Sequence, residues 1–333
     1  MSSVAAVAFA PPISVVVPMR NAAPWLPPLL AALVREWHTG FDLIAIDDAS
    51  SDGSDALLQR LCAHWPQERW RLIRAGGRGV SAARNAGVAA SRAPLIAFLD
   101  ADDRPLPGRL SLPLQALARY PHLSHVHGGW WRCDDSGRHQ QTVRPWQEGA
   151  GFSWRSFMQH KAVLPSAWTV RRDALLAVGG FDPQLRHSED VDLLLRLAAA
   201  GHEGAWIEQE LVRYRLHGAN ASGRTKAQLQ GLLAVMERHL EAVAASEPGW
   251  ARSQRYDTTT WASWQAWSDG APDLALQLLQ QALEDCPYPL PRRPVHYLEV
   301  FARSCARIGQ RFDAEALQAS RFWAQAQELL LAR

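Results

Sequence analysis

Cysteine is scarce and scattered. Cys62, Cys133, Cys286 and Cys305 are the only four in 333 residues, and no two stand close enough to read as a zinc site or a redox pair. A reduced, cytoplasmic setting fits that pattern. Long apolar runs are also missing: no window approaches the roughly 20 apolar residues that a membrane-crossing helix needs. The N-terminal stretch MSSVAAVAFAPP has no basic segment ahead of its short apolar run and meets prolines at once, which argues against a signal peptide. Charge of one sign is equally lacking. A net +2 over the chain creates no field of the kind that draws nucleic acid, so no nucleic-acid partner is expected.

What is present reads as an α/β protein with ordinary globular composition, 47% hydrophobic and 20% charged. ISVVVP (13–18), LIAIDD (43–48) and PLIAFLD (94–100) are apolar runs of the kind found in strands buried on both faces of a parallel sheet. WRLIRA near Trp70 is a weaker fourth. Helical periodicity fills the gaps around 25–37, 54–64 and 81–91, so the order β-α-β-α-β-α-β implies a doubly wound, mostly parallel, Rossmann-like sheet with ligand sites beyond its carboxyl edge. The stretch from His122 to Arg144 reads as a hairpin turning at Asp134–Gly137. A helix is expected from about Asp190 to Ala200, stopped by Gly201.

Beyond about Arg224 the texture becomes helical. Leu229, Leu232, Leu233, Met236 and Leu240 mark one amphipathic helix, and further stretches run through 274–283, 297–308 and 314–331. Prolines at 287, 289, 291 and 294 break this region into hairpin-like pairs that faintly resemble tetratricopeptide units. Exposed amphipathic helices of this kind are suited to pairing with a second copy. The expected division is 12–223 for the α/β domain and 224–333 for the helical region.

Two strand ends carry acids: Asp47 and Asp48 on one, and Asp100, Asp102 and Asp103, a D-x-D pattern, on the other. Closely spaced carboxylates repel one another unless a cation relieves them. Mg²⁺ or Mn²⁺ would take a few of these oxygens and complete its shell with phosphate oxygens and water. The plainer alternative is an exposed acidic turn ahead of Pro105 and Pro107.

Six ordered blocks add context: ISVVVPMRN from Ile13, IDDASSDGS from Ile46, GVSAARNAG from Gly79, FLDADD from Phe98, GGFDPQLRHSEDVDLLLRLAAAG from Gly179 and YRLHGANAS from Tyr214. Together they resemble the family 2 glycosyltransferases over residues 12–223. The resemblance implies the glycosyltransferase A fold and inverting transfer of a sugar from a nucleotide diphosphate donor, most commonly a uridine diphosphate sugar. It also implies that Pro18, Arg20 and Asn21 lie against the nucleotide, that Asp48 accepts from the base, that Arg84 reaches the nucleotide and that Asp100 contacts the ribose or metal side. By the same resemblance, Asp102 is the main metal carboxylate with Asp103 beside it, and His217 supplies a further metal or diphosphate contact, an imidazole suiting Mn²⁺ better than Mg²⁺. The acceptor would be a glycan, a lipid-linked saccharide or another cell-envelope precursor, compatible with a peripheral position on the inner face of a membrane.

Such chemistry needs a carboxylate base, and Asp190 in HSEDVD is the matching residue. Ser188 is placed to cap the helix, whose dipole would keep Asp190 ionised. Glu189 competes for the role, and Asp192, four residues before Arg196, reads as half of a surface ion pair. Among the tryptophans, Trp261, Trp264 and Trp267 recur at helical spacing and read as core anchors. Trp130, Trp131, Trp154 and Trp168 are open to either a core or a sugar-stacking role.

Three other readings compete. GRGVSA (77–82) fits the G-x-G-x-x-A fingerprint of an NAD(P)-dependent oxidoreductase, but that fingerprint belongs on the first strand–helix turn, where ISVVVP stands instead. A sugar-1-phosphate nucleotidyltransferase would want an early Gly-rich basic loop, and MRNAAPW is not one. A degenerate, non-catalytic sugar-binding or scaffolding module would be expected to have lost acids that are all present here.

Overall fold

The computed structural model describes residues 10–148, 151–161, 163–216, 225–307 and 311–332. The chain divides into two compact units, Met1–His217 and Gly218–Arg333.

The first unit begins with four parallel strands: β1 (Ile13–Met19), β2 (Asp42–Asp47), β3 (Trp70–Arg74) and β4 (Leu95–Phe98), in the spatial order β3-β2-β1-β4. Every residue of β1 and β2 is buried, because helices cover both faces. Val15 and Val17 pack in one core with Leu26, Leu29 and Leu33 of α1 (Leu26–Val34) and Leu58 of α2 (Ser54–Leu61). The alternate residues, Val16 and Ile46, meet α3 (Val80–Ala90) on the other face. This is the pattern expected of unbroken apolar runs in a sheet sandwiched between helices.

Helix α3 comes unusually near the sheet because Gly87 has no side chain. A Cβ there would lie 2.4 Å from Val16 Cγ1 and 2.8 Å from Ile46 Cδ1. Gly87→Ala is therefore expected to destabilise the protein by about 1–3 kcal/mol through overpacking, despite alanine's better helix propensity. Urea unfolding measures this, and an unchanged or raised midpoint would contradict the close packing.

Five further strands extend the sheet: β5 (Arg104–Pro105), β6 (Leu123–Cys133), β7 (His139–Val143), β8 (Trp168–Arg171) and β9 (Glu203–Arg215). The full order is β3-β2-β1-β4-β8-β6-β9-β5, with β7 also on β6, so the sheet has nine strands among the described residues. β8 is antiparallel to β4 and to β6, β9 runs parallel to β6, and β5 is antiparallel to β9. The hairpin read from the sequence is present as β6 and β7, turning at Asp134–Arg138. Strands β8 and β9 have no counterpart in the sequence reading. Short helices α4 (Ser111–Arg119), α5 (Trp154–His160) and α6 (Arg172–Ala177) join these strands, and α7 (Glu189–Ala199) precedes β9.

The second unit is helical: α8 (Thr225–Ala244), α9 (Pro248–Ser268), α10 (Pro272–Glu284), α11 (Arg293–Arg307), α12 (Ala314–Gln318) and α13 (Arg321–Leu331). Trp264 is buried in its core and Trp261 and Trp267 pack against that core, the anchoring role their spacing implied. The helix expected over 314–331 is two helices, because the Ser320 hydroxyl accepts from the Trp323 amide and starts a new one. Among the described residues, no helix is long and apolar enough to cross a membrane.

Candidate active site

At the carboxyl edge of β1 and β2, three loops are stitched together by hydrogen bonds. Pro18 is buried in β1 opposite Ile46, whereas Arg20 and Asn21 are exposed where the chain leaves the sheet. Asn21 takes a positive φ of 53°, a conformation asparagine tolerates better than most residues. Its Oδ1 accepts from the Ser51 amide (2.8 Å), and its own amide donates to the Ser50 hydroxyl (2.9 Å). Asp48 is buried, and its two oxygens accept from the amides of Arg78 (2.8 Å) and Gly79 (2.9 Å). The carboxylate that the resemblance aims at a base thus also fixes the turn between β3 and α3.

The next group centres on Arg84 in α3. It is only 3% exposed and bridges two acids: Nη2 donates to Asp100 Oδ1 and Nη1 to Glu189 Oε1, both at 2.7 Å. Burial alone would lower its pKa, but the two carboxylates outweigh burial and hold the guanidinium firmly charged. The side chain expected against the nucleotide is here a brace between the loop after β4 and the start of α7. Asp100 keeps its place through its amide, which donates to the Ser166 hydroxyl (2.9 Å).

Asp102 is half-buried and Asp103 is buried. Asp103 Oδ1 accepts from the Arg215 amide (3.2 Å), while Oδ2 is buried without a hydrogen bond of good geometry. Burial, followed by the charges of Asp102 and Asp100, holds the Asp103 carboxyl well above the usual carboxylate range, although the neighbouring Ser166 hydroxyl eases it. Among the described residues no group of three or more His, Cys, Asp or Glu side chains is arranged to hold a metal ion, and His217, the third ligand implied by the resemblance, lies outside them. The Asp102–Asp103 pair nevertheless fits a hard cation. It offers an unpartnered buried oxygen and mutually repelling carboxylates, and Mg²⁺ or Mn²⁺ needs few protein ligands when phosphates complete the shell.

The third group is the start of α7. Ser188 occupies the N-cap position in a left-handed conformation (φ 58°), and its side chain makes no capping bond. Asp190 is half-buried and its carboxyl is pushed up to about 7, first by burial and then by Glu189, against the opposing pull of Arg84. The expectation that the helix end keeps Asp190 ionised is therefore corrected, because desolvation and a like charge exceed the dipole. Asp190 Oδ1 accepts from the Val191 amide (2.8 Å), leaving Oδ2 for other work. The ion pair of Asp192 with Arg196 is present at 2.8 Å, but it is not a surface pair: Asp192 is fully buried and Arg196 also donates to the carbonyls of Val178 and Gly180. Glu189→Gln should remove a like charge from beside Asp190 and move the acidic limb of the kcat/KM profile below pH 7. A limb that stays or moves upward would contradict this coupling.

Residues 14–175 match the family model described as Glycosyl transferase family 2. The chain carries a family 2 glycosyltransferase domain. An uncharacterized glycosyltransferase of Rickettsia bellii is 26% identical over 212 residues, spanning 63% of this chain and 29% of the relative. The chain thus matches less than a third of that relative's length. Among solved structures, S. aureus TarS 1-349 in complex with UDP-GlcNAc superposes with a TM-score of 0.60 at 14% identity, over 90% of this chain and 93% of that one. The mannosyltransferase PcManGT from Pyrobaculum calidifontis, in complex with GDP-Man and Mn2+, gives 0.57 at 16% identity, over 97% and 86%. The fold is therefore the glycosyltransferase A type, a mixed α/β sheet followed by a helical region.

Several residues that shape the site of this transferase domain escaped the sequence reading. Arg109 is fully buried, and burial lowers its pKa to about 9. It donates to the carbonyls of Phe98, Ser166 and Trp168 and to the Thr169 hydroxyl, fastening β8 and Ser166 behind the Asp100 loop. Asn85, next to Arg84, makes paired bonds with the Phe181 backbone (2.7 and 2.9 Å) and so ties the approach to α7 onto α3. These partners lie 11 to 96 residues apart in sequence, and no local pattern signals them. Trp168 is wholly buried, donating from Nε1 to His125 Nδ1 (3.1 Å), which settles it as core.

Proposed function

We propose that the chain transfers a sugar from a nucleotide diphosphate sugar, with UDP-sugars the first candidates, to a hydroxyl of a saccharide or lipid-linked cell-envelope acceptor, inverting the anomeric centre with Asp190 as base. The observation that carries this reading is the Arg84 brace, which holds Asp100, on the loop of the Asp102–Asp103 pair, and Glu189, beside Asp190, at the same sheet edge. The UDP-GlcNAc and GDP-Man complexes of the structural neighbours support a nucleotide sugar as donor, and the Mn2+ in one of them supports a metal.

In this mechanism the acceptor oxygen attacks the anomeric carbon while the bond to the nucleoside diphosphate breaks, and the hydroxyl proton passes to Asp190 Oδ2. A carboxylate poised near pH 7 suits that transfer. Asp102 and Asp103, with His217 as a further ligand, would hold Mn²⁺ or Mg²⁺, which supplies neutralisation of charge on the departing diphosphate. Arg84 orients the acids around it through Asp100 and Glu189. The oxidoreductase alternative is not favoured, because the amides of Arg78 and Gly79 in its fingerprint are given to Asp48 rather than left for a pyrophosphate.

The stereochemistry is directly testable with water as acceptor. Incubation with α-configured UDP-N-acetylglucosamine and Mn²⁺ should release β-N-acetylglucosamine first, as read by NMR before mutarotation. Initial release of the α-anomer would contradict a single inverting displacement.

A further inference from the structure

Three strands at the far edge of the sheet place an uncompensated basic patch beside the proposed metal pair. Arg104 immediately follows Asp103 and stands directly opposite Arg213 in the β5–β9 pairing, and Arg213 in turn stands opposite Trp131 in the β9–β6 pairing. Partners in register share a face of the sheet, so the three side chains form a row. The Arg213 guanidinium lies 5.8 Å from the centre of the Trp131 ring, and His139 of β7 meets the edge of the same ring at 6.0 Å. Arg104, Arg213 and Trp131 are each half-buried, and His139 is exposed.

Like charges directly opposite one another on neighbouring strands are destabilising. By contrast, Arg84 has two carboxylates, Arg109 four oxygens, and Arg215, on the same face of β9, reaches the carbonyls of Asp102 and Asp135. Among the described residues, Arg104 and Arg213 have neither an ion pair nor a side-chain hydrogen bond, and Arg213 Nε is buried with no partner. An oxyanion between the two guanidinium groups would remove the repulsion and satisfy that nitrogen with paired, charge-assisted bonds. Beside them the indole of Trp131 offers an apolar face of the kind on which a sugar ring lies.

We infer that Arg104, Arg213 and Trp131 form an acceptor shelf for an anionic saccharide, the two arginines taking a carboxylate or phosphate group and the indole taking the adjacent sugar ring. This assignment rests on the proposed transferase reading for its meaning as an acceptor site, but the binding it describes can be measured without transfer. The shared chemistry is an oxyanion next to a sugar ring, and two probes separate its sources: trigalacturonic acid for a carboxylate and a mannose 6-phosphate oligosaccharide for a phosphate, with maltotriose as the neutral control.

Calorimetric titration of the full chain is expected to show one of the two anionic probes binding about tenfold or more tighter than maltotriose, with an advantage that shrinks at high salt. Arg104→Gln and Arg213→Gln, made separately, should each remove most of that advantage, and Arg213→Lys should restore only part of it. The thermal shift given by UDP with Mn²⁺ should match wild type in all three variants, which also shows that they fold. Equal binding of maltotriose, no binding of any probe, or anionic binding unchanged in both glutamine variants would overturn the shelf. If UDP produced no shift in wild type while anionic binding still followed the two arginines, the shelf would stand and the transferase reading would fall.

Discussion

Asp190→Asn is expected to lower kcat by roughly a thousandfold, the middle of the range for removing a positioned general base, while nucleotide binding stays near wild type. The substitution preserves shape and hydrogen bonding at Oδ1, where the side chain accepts from the Val191 amide. It removes only the proposed proton acceptor. Because Asp190 is already pushed up to about 7 by burial and Glu189, a neutral amide also relieves repulsion, so the variant should be at least as stable as wild type at neutral pH. Proton removal belongs to the transition state, so kcat and kcat/KM should fall together. Retained activity would move the base elsewhere, with Glu189 the next carboxylate in line. Joint loss of activity and nucleotide binding would mark Asp190 as structural.

The second large effect is expected from Asp102→Ala. Losing a positioned charge that acts on the leaving group costs a few kcal/mol, or about a hundredfold or more in rate. Here the loss should be accompanied by disappearance of Mn²⁺-dependent nucleotide binding. The half-buried Asp102 can be truncated without emptying the core, so its unfolding midpoint should change little. Asp103 is the less clean target, because its Oδ1 holds the Arg215 amide and its removal would loosen β9. Substantial activity in Asp102→Ala, measured with metal in excess, would sink the metal assignment.

The parts of this fold that were legible in the sequence are those with strong local periodicity. ISVVVP, LIAIDD and PLIAFLD are mostly β-branched or apolar because both of their faces are covered, and they contain most of β1, most of β2 and all of β4. β8 and β9 were not legible for the complementary reason. Trp168–Arg171 is four residues long, and Glu203–Arg215 mixes acids, arginines and apolar residues because it is only partly buried and lies near the sheet's edge. The site was legible as a set of blocks but not as a network. Four of the six motifs bring Asp48, Arg84, Asp100, Asp102, Asp103 and Asp190 to one sheet edge, yet the pairings among them depend on contacts across long stretches of chain, such as Arg84 to Glu189 over 105 residues.

The electrostatics were the least legible. A carboxylate at a helix start reads as ionised from sequence, since only the dipole is visible there. In the fold, Asp190 also faces burial and a neighbouring Glu189, and these dominate. Asp192 shows the same effect, its i,i+4 partner correctly placed but its burial invisible in the spacing.

Thermal unfolding with UDP, GDP, TDP and NAD, each with and without Mn²⁺, separates a metal-dependent nucleotide-sugar site from a dinucleotide site, since a ligand at a hundred times its Kd stabilises a protein by about 2.7 kcal/mol. A Mn²⁺-dependent rise in Tm is expected with one nucleoside diphosphate, UDP first, and none with NAD. A rise with NAD alone, or no response to any nucleoside diphosphate with metal present, would contradict it.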